Sequence, residues 1–390
     1  MRILVTGLAR IEQTEGGSQR YLSGLADALA DGGHEVRILT GADLVDTRDT
    51  ASASPFARLL RTLVRFVVGV PRGVLSVATF RPDVVTVHFP LDGLGAALGA
   101  RWAGRPTVIH FHGPWAREAA AAGRGWFPFV GRQRIEAAIY HLASSWVTQS
   151  NAFAELMADD YSIDRRRIRV IPGGRDLPDL VQPSPEECRR RLGLRERFTL
   201  VTVRRLVPRT GVDLAILALA EIVRRRPHLD AQLVVAGDGP ELEALRALAR
   251  SENVEDRVVF TGRFPDELLW TVYGAGDICL VASRALEGFG YGALEGLAAG
   301  RPTVVTAIGG LPEVVAPLEP RWVVPAEPDE IASAVLFVAD DPSRFPDADA
   351  CRAYAAGFAW PRLVGRILDV YTEAVVSSRR GRRRSRRQAG

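Results

Sequence analysis

The chain of 390 residues contains no lysine, so all 50 of its basic side chains are arginine. That absence excludes Schiff-base and pyridoxal-phosphate chemistry and the Walker A phosphate loop, each of which needs a lysine amine. Cysteine is scarce. Cys188, Cys279 and Cys351 are an odd number, lie far apart and show no metal-ligand spacing, which argues against a disulfide framework and fits a reducing cytosol. No run of 18 uninterrupted apolar residues occurs, so no membrane-spanning helix is expected. The first strand-like run, RILVTG, begins directly after Met1 and leaves no room for a secretory leader, so none is expected. What is present is 47% hydrophobic residues over a length that predicts two domains with substantial cores, which excludes collagenous and disordered classes.

Charge is unevenly placed. The last fourteen residues, SSRRGRRRSRRQAG, hold seven arginines and no acid, and without them the formal net charge of +4 becomes slightly negative. The basic pI therefore belongs to a tail, read as disordered over 377–390, and no nucleic-acid partner is expected. A second group, Arg58, Arg61, Arg65 and Arg72, punctuates the apolar stretch 56–80. The favoured reading is an ordinary α/β helix flank covered by arginine stems. The bolder reading is an interfacial surface for anionic lipid, which with the tail would bring a cytoplasmic protein to the inner face of the membrane.

Short apolar runs alternate with longer amphipathic ones from the start: RILVTG, SQRYLSGLADALADGG and HEVRILT form a β-α-β unit, and DVVTVHF, PTVIHFH, SWVTQS and RIRVIP continue it. A Pro-, Gly- and acid-rich stretch from Pro172 interrupts the rhythm, which restarts at TLVTVRRL and proceeds through AQLVVAGDG, RVVFTG, DICLVAS, PTVVTA and RWVVPA. The expected fold is α/β: two doubly wound Rossmann-like parallel-sheet domains, 1–175 and 176–360, facing a central cleft, with ligand at the carboxyl ends of the strands. Helical segment 361–378 follows the second sheet and is read as able to pack back on the first domain.

The most informative segment is EGFGYGALEGLAAGRPTVVT. Glu287 closes a strand end, Gly288, Phe289 and Gly290 make a turn, and a helix starts near Tyr291, which is a setting for an anion such as a diphosphate. Glu295, about a turn further in, would repel phosphate but accept hydrogen bonds from ribose hydroxyls. A nucleotide sugar suits the pair. His88 and His110 lie inside apolar strands and read as packed, whereas His112 beside Gly113 at a strand end reads as functional. Asp347 and Asp349 read as loop residues, and no metal site is expected.

With these residues the chain resembles glycosyltransferase family 4 of the GT-B fold, whose signature is two glutamates eight positions apart around a Gly-rich turn. RRLVPRTG, IPGGRD, VVAGDGPELEALRAL, IGGLPEVV and FAWPRLVGRILDVY resemble further family segments in order, as do Gly16 and Gly17 before the first helix and HFHGPW around His112. The resemblance implies a retaining enzyme without metal or other cofactor. It would move a sugar from a nucleoside-diphosphate sugar to an acceptor glycan, lipid-linked sugar or small molecule. It implies that Arg205 contacts the diphosphate, Glu287 the sugar hydroxyls, Glu295 the ribose, and the turn Gly288–Tyr291 sugar or phosphate. Gly262, Arg263 and Phe264 would border the base, and His112 would approach the transferred sugar. Where the family has its second diphosphate cation this chain has Thr210, and Arg209 is the candidate substitute. Arg175 departs from an aliphatic pattern. The alternatives are an oxidoreductase read from LVTG and GLGAALGA, a nucleotide-sugar epimerase of the same fold, and a catalytically weak homologue that binds through its arginine tail.

Overall fold

The computed structural model describes residues 1–7, 17–40, 65–121, 129–177 and 183–388. They form two compact units, Met1–Asp176 together with Ala359–Gly390, and Leu177–Phe358. The first unit holds a sheet of β1 (Arg2–Gly7), β2 (Glu35–Thr40), β3 (Val84–Val87), β4 (Thr107–Phe111), β5 (Ser145–Thr148) and β6 (Ile168–Val170). All pairings are parallel and the order is β2-β1-β3-β4-β5-β6. β3 and β4 are buried along their whole length, which is why they read as continuous rather than alternating apolar runs. Leu4, Val85, Val87, Ile109, Phe111 and Trp146 form the heart of this core.

Helices cover both faces of such a sheet, and the glycines of GLGAALGA let one approach closely. A Cβ on Gly93 would lie 2.4 Å from Val87 Cγ1, and one on Gly95 would lie 2.5 Å from the Val70 carbonyl oxygen. These are packing glycines of the helix Pro90–Trp102 rather than a phosphate loop.

The helix Trp360–Gln388 belongs to the first unit. Trp360, Leu363, Ile367, Val370, Tyr371 and Ala374 are buried at three- and four-residue spacing, the pattern of a helix with one face in the core. The tail expected to be disordered over 377–390 is instead helical through Gln388. The reason is local: the packed part supplies the nucleus, arginine is a good helix former, and cations suit a helix C-terminus. Ser378 Oγ donates to the Gly104 carbonyl at 3.1 Å and so ties the helix to the body. Of the basic apolar stretch 56–80, residues 56–64 with Arg58 and Arg61 lie outside the described residues; the remainder is a π-helical turn Arg65–Gly69 leading into the helix Val70–Phe80.

The second unit repeats the architecture with β7 (Phe198–Val203), β8 (Ala231–Ala236), β9 (Val258–Gly262), β10 (Ile278–Val281), β11 (Thr303–Thr306) and β12 (Val323–Val324). The order is β12-β11-β10-β7-β8-β9, again all parallel. The strand order reverses between β7 and β10 here and between β1 and β3 in the first unit. In open α/β sheets the carboxyl ends at such a reversal diverge and leave a crevice. Asp347 and Asp349, read as loop residues, are an N-cap and a first-turn residue: Asp347 accepts from Ala350 N at 2.8 Å, and Asp349 pairs with Arg352 at 2.5 Å within the helix Ala348–Ala355.

Candidate active site

At the reversal in the second sheet, β7 runs out into Arg204 and β10 into Ser283, four residues before Glu287. Arg204 Nη2 donates to Glu287 Oε2 at 2.6 Å and to Ser283 Oγ at 2.8 Å, and Ser283 Oγ donates to the same Oε2 at 2.8 Å. The Glu287 side chain is only 14% exposed. Burial by itself would raise its carboxyl pKa. The Arg204 charge and hydrogen bond, the Ser283 hydroxyl and the Arg209 charge outweigh burial and hold it below the ordinary value. Glu287 is therefore a fixed carboxylate. Both side-chain contacts fall on Oε2, so among the described residues Oε1 keeps its lone pairs for a ligand hydroxyl.

Two glycines shape the turn that follows. Gly290 sits at φ +102° immediately before the helix Tyr291–Ala298, a conformation that side chains disfavour. Gly309, at φ +56°, lies so close that a Cβ would be 2.0 Å from the Glu287 carbonyl oxygen, which accepts from Gly310 N at 2.9 Å. Leu286 also adopts a left-handed φ of +53°, which costs about 1–2 kcal/mol for a side-chain-bearing residue. The helix directs its positive dipole end at the turn. Within the helix, Glu295 is 5% exposed, and its Oε2 accepts from the Tyr273 hydroxyl at 2.9 Å. Burial first, and the Glu295 charge next, push the Tyr273 phenol well above its usual range, so it stays a donor.

The Arg-rich segment after β7 divides its work. Arg205 is exposed. Arg209 Nη1 donates to the Leu286 carbonyl at 3.3 Å, beside Glu287. Thr210 is buried, and its hydroxyl sits 2.7 Å from both the Arg205 and Val207 carbonyls, where its single hydrogen is spent on the backbone. Gly262 ends β9 at φ +67° with open space where a Cβ would be, and its carbonyl accepts from Gly237 N at 3.0 Å. Arg263 is exposed, while Phe264 packs on the cluster around Val234 and Leu269.

In the first unit Gly16 lies outside the described residues, and Gly17 is the exposed first residue of the helix Gly17–Asp31. His112 follows β4 and joins His88 and His110 in one cluster. Its Nε2 is 3.0 Å from His88 Nδ1, and the His88 and His110 rings stack at 4.4 Å between centroids. Burial lowers the His112 pKa to about 4. His88 and His110 are also pushed well below the usual imidazole range, by burial first and then by neighbouring imidazoles. Just beyond, the buried Glu136 accepts from Trp115 N at 2.9 Å and Ala116 N at 3.0 Å and so anchors the chain that leaves His112. The sequence alone did not single out Ser283, Tyr273 or Glu136. Only Ser283 left a signal, as a hydroxyl one strand-end ahead of Glu287.

Among the described residues no group of three or more His, Cys, Asp or Glu could hold a metal ion. Two reversed parallel sheets, each with its functional candidates at the strand reversal, define a two-domain α/β GT-B fold. The profile "Glycosyl transferases group 1" matches residues 185–357 and "Glycosyltransferase Family 4" matches 15–178. A D-inositol 3-phosphate glycosyltransferase of Acidothermus cellulolyticus is 31% identical over 392 residues, covering 93% of this chain and 87% of that protein. One from Thermomonospora curvata is 30% identical, over 92% and 91%. Among solved structures, sucrose-phosphate synthase of Thermosynechococcus elongatus superposes with a TM-score of 0.77 at 22% identity, covering 96% of this chain and 99% of that one. Anabaena HepE in complex with UDP-glucose gives 0.75 at 20%, covering 96% and 100%. The chain belongs to glycosyltransferase family 4 and is a glycosyltransferase.

Proposed function

We propose that this enzyme transfers a sugar from a nucleoside-diphosphate sugar to an acceptor hydroxyl with retention of anomeric configuration. The observation that carries the reading is Glu287, a carboxylate fixed by Arg204 and Ser283 with one oxygen open, at the mouth of the Gly288–Gly290 turn. In this reading Oε1 of Glu287 accepts from the sugar hydroxyls, and the helix start at Tyr291 with Arg205 and Arg209 faces the diphosphate. Glu295 takes the ribose, Gly262 to Phe264 border the base, and Gly16 and Gly17 meet the donor from the first unit. Arg209 supplies the second charge that Thr210, spent on backbone carbonyls, does not. Same-face attack by the acceptor lets the departing phosphate oxygen take the acceptor proton, so the side chains position and stabilise rather than shuttle protons.

The curated relatives named for D-inositol 3-phosphate make a phosphorylated polyol the first acceptor to test, and the UDP-glucose bound to HepE makes UDP-sugars the first donors. A panel of nucleotide sugars is screened by thermal stabilisation, since a ligand at 100 times its Kd adds roughly 2.7 kcal/mol. The donor that binds is then assayed with and without acceptor, and the product anomer is read by NMR. Glu287→Gln is expected to lower transfer by roughly 10²-fold or more. An inverted product, or full activity in Glu287→Gln, refutes the reading.

We further propose peripheral contact with an anionic membrane surface from the cell interior. Trp102 is 75% exposed at the end of its helix, and the adjoining Gly104 carbonyl is bound by Ser378. Arg379 and Arg105 each reach Asp83 at 3.7 Å. An exposed indole next to Ala103, whose carbonyl accepts from Arg382, suits a headgroup layer. Truncation after Ser378 combined with Trp102→Ala is expected to abolish co-sedimentation with anionic vesicles and leave transfer to a soluble acceptor intact. Unchanged vesicle binding refutes the contact.

A further inference from the structure

The first unit has a charged recess at the edge of its sheet opposite to His112. A cavity of about 240 Å³ is lined by Arg105, Arg379, Arg382, Asp83 and Ser378, with an apolar part from Pro106 and Val375. Asp83 directly precedes β3 and Pro106 directly precedes β4, whereas His112 follows β4. Five residues of strand at about 3.3 Å each set the two ends about 17 Å apart, so the recess is distinct from the strand reversal.

The chain is shaped to form it. Gly104, at φ +60°, turns the backbone after the helix Pro90–Trp102 toward β4, and a Cβ there would lie 2.9 Å from Arg382 Cζ. Glycine thus serves both the turn and the approach of the guanidinium. Arg382 Nη1 donates to the Ala103 carbonyl at 3.4 Å, and Ser378 Oγ to the Gly104 carbonyl at 3.1 Å, so the last helix is tied to the rim.

The charges in the recess do not balance. Asp83 Oδ2 accepts from the Arg2 amide at 3.0 Å, and Oδ1 lies 3.7 Å from both Arg105 and Arg379. A charge-assisted N–H···O bond is about 2.7–2.9 Å long, so this oxygen stands between two guanidiniums without closing on either. The Arg2 guanidinium is itself paired with Glu35. Three lining arginines against one aspartate leave a formal excess of two positive charges. The sequence beyond, 383–390, holds four arginines and no acid, so no carboxylate of the tail offsets that excess. A phosphomonoester carries about −1.5 to −2 near neutral pH and offers three acceptor oxygens to guanidinium forks. The volume lies below the roughly 300–1,000 Å³ of pockets that enclose drug-sized ligands, which suits one phosphate group rather than a nucleotide.

We propose that Arg105, Arg379 and Arg382 form a phosphomonoester-binding site, built by the C-terminal helix against the amino-terminal edge of the first sheet. The ligand reaches it either free in solution or as the headgroup of a membrane lipid. Asp83 draws Arg105 and Arg379 together and, by its charge, limits the affinity.

The test titrates the full chain with glycerol 3-phosphate by calorimetry. In parallel, co-sedimentation is measured with phosphatidylcholine vesicles carrying phosphatidic acid, a monoester, or phosphatidylglycerol, a diester, at matched surface charge. Glycerol 3-phosphate binding with a Kd below about 1 mM assigns a free ligand, and binding confined to phosphatidic acid vesicles assigns a lipid headgroup. Arg379→Gln combined with Arg382→Gln is expected to weaken the binding found by at least about 10-fold. Asp83→Asn, which removes the only carboxylate lining the recess, is expected to tighten it several-fold. The proposal is overturned by no binding in either arm, by equal binding to the two lipids without binding of glycerol 3-phosphate, or by a signal that survives the double arginine variant. An affinity that does not rise in Asp83→Asn overturns it as well. Arg379 and Arg382 are exposed, so the double variant is expected to fold, and Asp83→Asn decides if it does not. Sugar transfer enters neither readout, so failure of the function proposed above leaves the site standing.

Discussion

Lowering the pH from about 7.5 to about 4.5 is predicted to loosen the first unit around β3 and β4. His112 titrates near 6.5 in an unfolded chain and at about 4 in the folded one, because burial disfavours its charge. Its folded value is the lower, so the unfolded chain takes the proton first. The stabilisation is complete above pH 6.5 and is lost as pH falls toward 4. At about 1.4 kcal/mol per pH unit, the gap is worth about 3 kcal/mol. His88 and His110 act in the same direction, burial again being the first cause. Glu136 opposes them. Burial raises its carboxyl from 4.5 to about 6 against the hydrogen bonds it accepts from Ala116, Tyr161, Trp115 and Tyr140. The folded state therefore binds this proton first, and stability rises by about 2 kcal/mol as pH falls from 6 through 4.5. The histidines win, since His112 alone exceeds Glu136 and two further imidazoles add to it. Hydrogen exchange of the β3 and β4 amides, corrected for intrinsic rates, is expected to show protection falling at least several-fold. His112→Asn should flatten the dependence, and Glu136→Gln should steepen it. Protection that is constant or greater at pH 4.5 refutes the assignment of neutral buried histidines.

Three further outcomes concern the second unit. Gly309→Ala places a Cβ 2.0 Å from the Glu287 carbonyl at a φ of +56°, and is expected to cost about 2 kcal/mol or more and lower the calorimetric Tm. Arg204→Met leaves Glu287 buried without its cation; unfolding by urea should show a loss of about 3 kcal/mol, and a loss below about 1 kcal/mol would mean the pair is solvent-screened. Arg209→Ala is expected to lower transfer by roughly 10²-fold and weaken donor binding, and unchanged turnover would remove Arg209 from the proposed diphosphate site.

The fold was legible because its determinants are local. Fully buried parallel strands such as VVTV and TVIHF announce themselves as apolar runs, and the Gly288–Gly290 turn announces a helix start. Glu287 could be found by its place beside that turn. Its electrostatics could not, because Arg204 is 83 residues away and meets it only once β7 and β10 pair. Thr210 was read as a cation lost from the site, and the structure shows why a threonine is stable there: its hydroxyl satisfies backbone carbonyls of its own turn. The arginine tail was misjudged for a related reason. Composition favoured disorder, but the helix is nucleated upstream by Tyr371 and its buried neighbours, which a count of arginines in fourteen residues does not register.

The absence of lysine acquires a physical meaning at Glu287. A single Arg204 nitrogen serves both the Ser283 hydroxyl and the carboxylate, and Ser283 returns its own hydrogen to the same oxygen, closing a three-membered ring of contacts. An ammonium is a point charge on a flexible stem whose pKa falls when buried, whereas a guanidinium is planar and keeps its proton in a largely dry setting. The charge on Glu287 is thus held by a planar cation 2.6 Å away. The cluster around His112 follows the opposite design, with its imidazoles held neutral by burial. The strand reversal of the second sheet presents an acceptor anion, and the end of β4 in the first a neutral imidazole. The proposed transfer asks neither side chain to exchange a proton with the acceptor at neutral pH, since in that proposal the departing phosphate takes it.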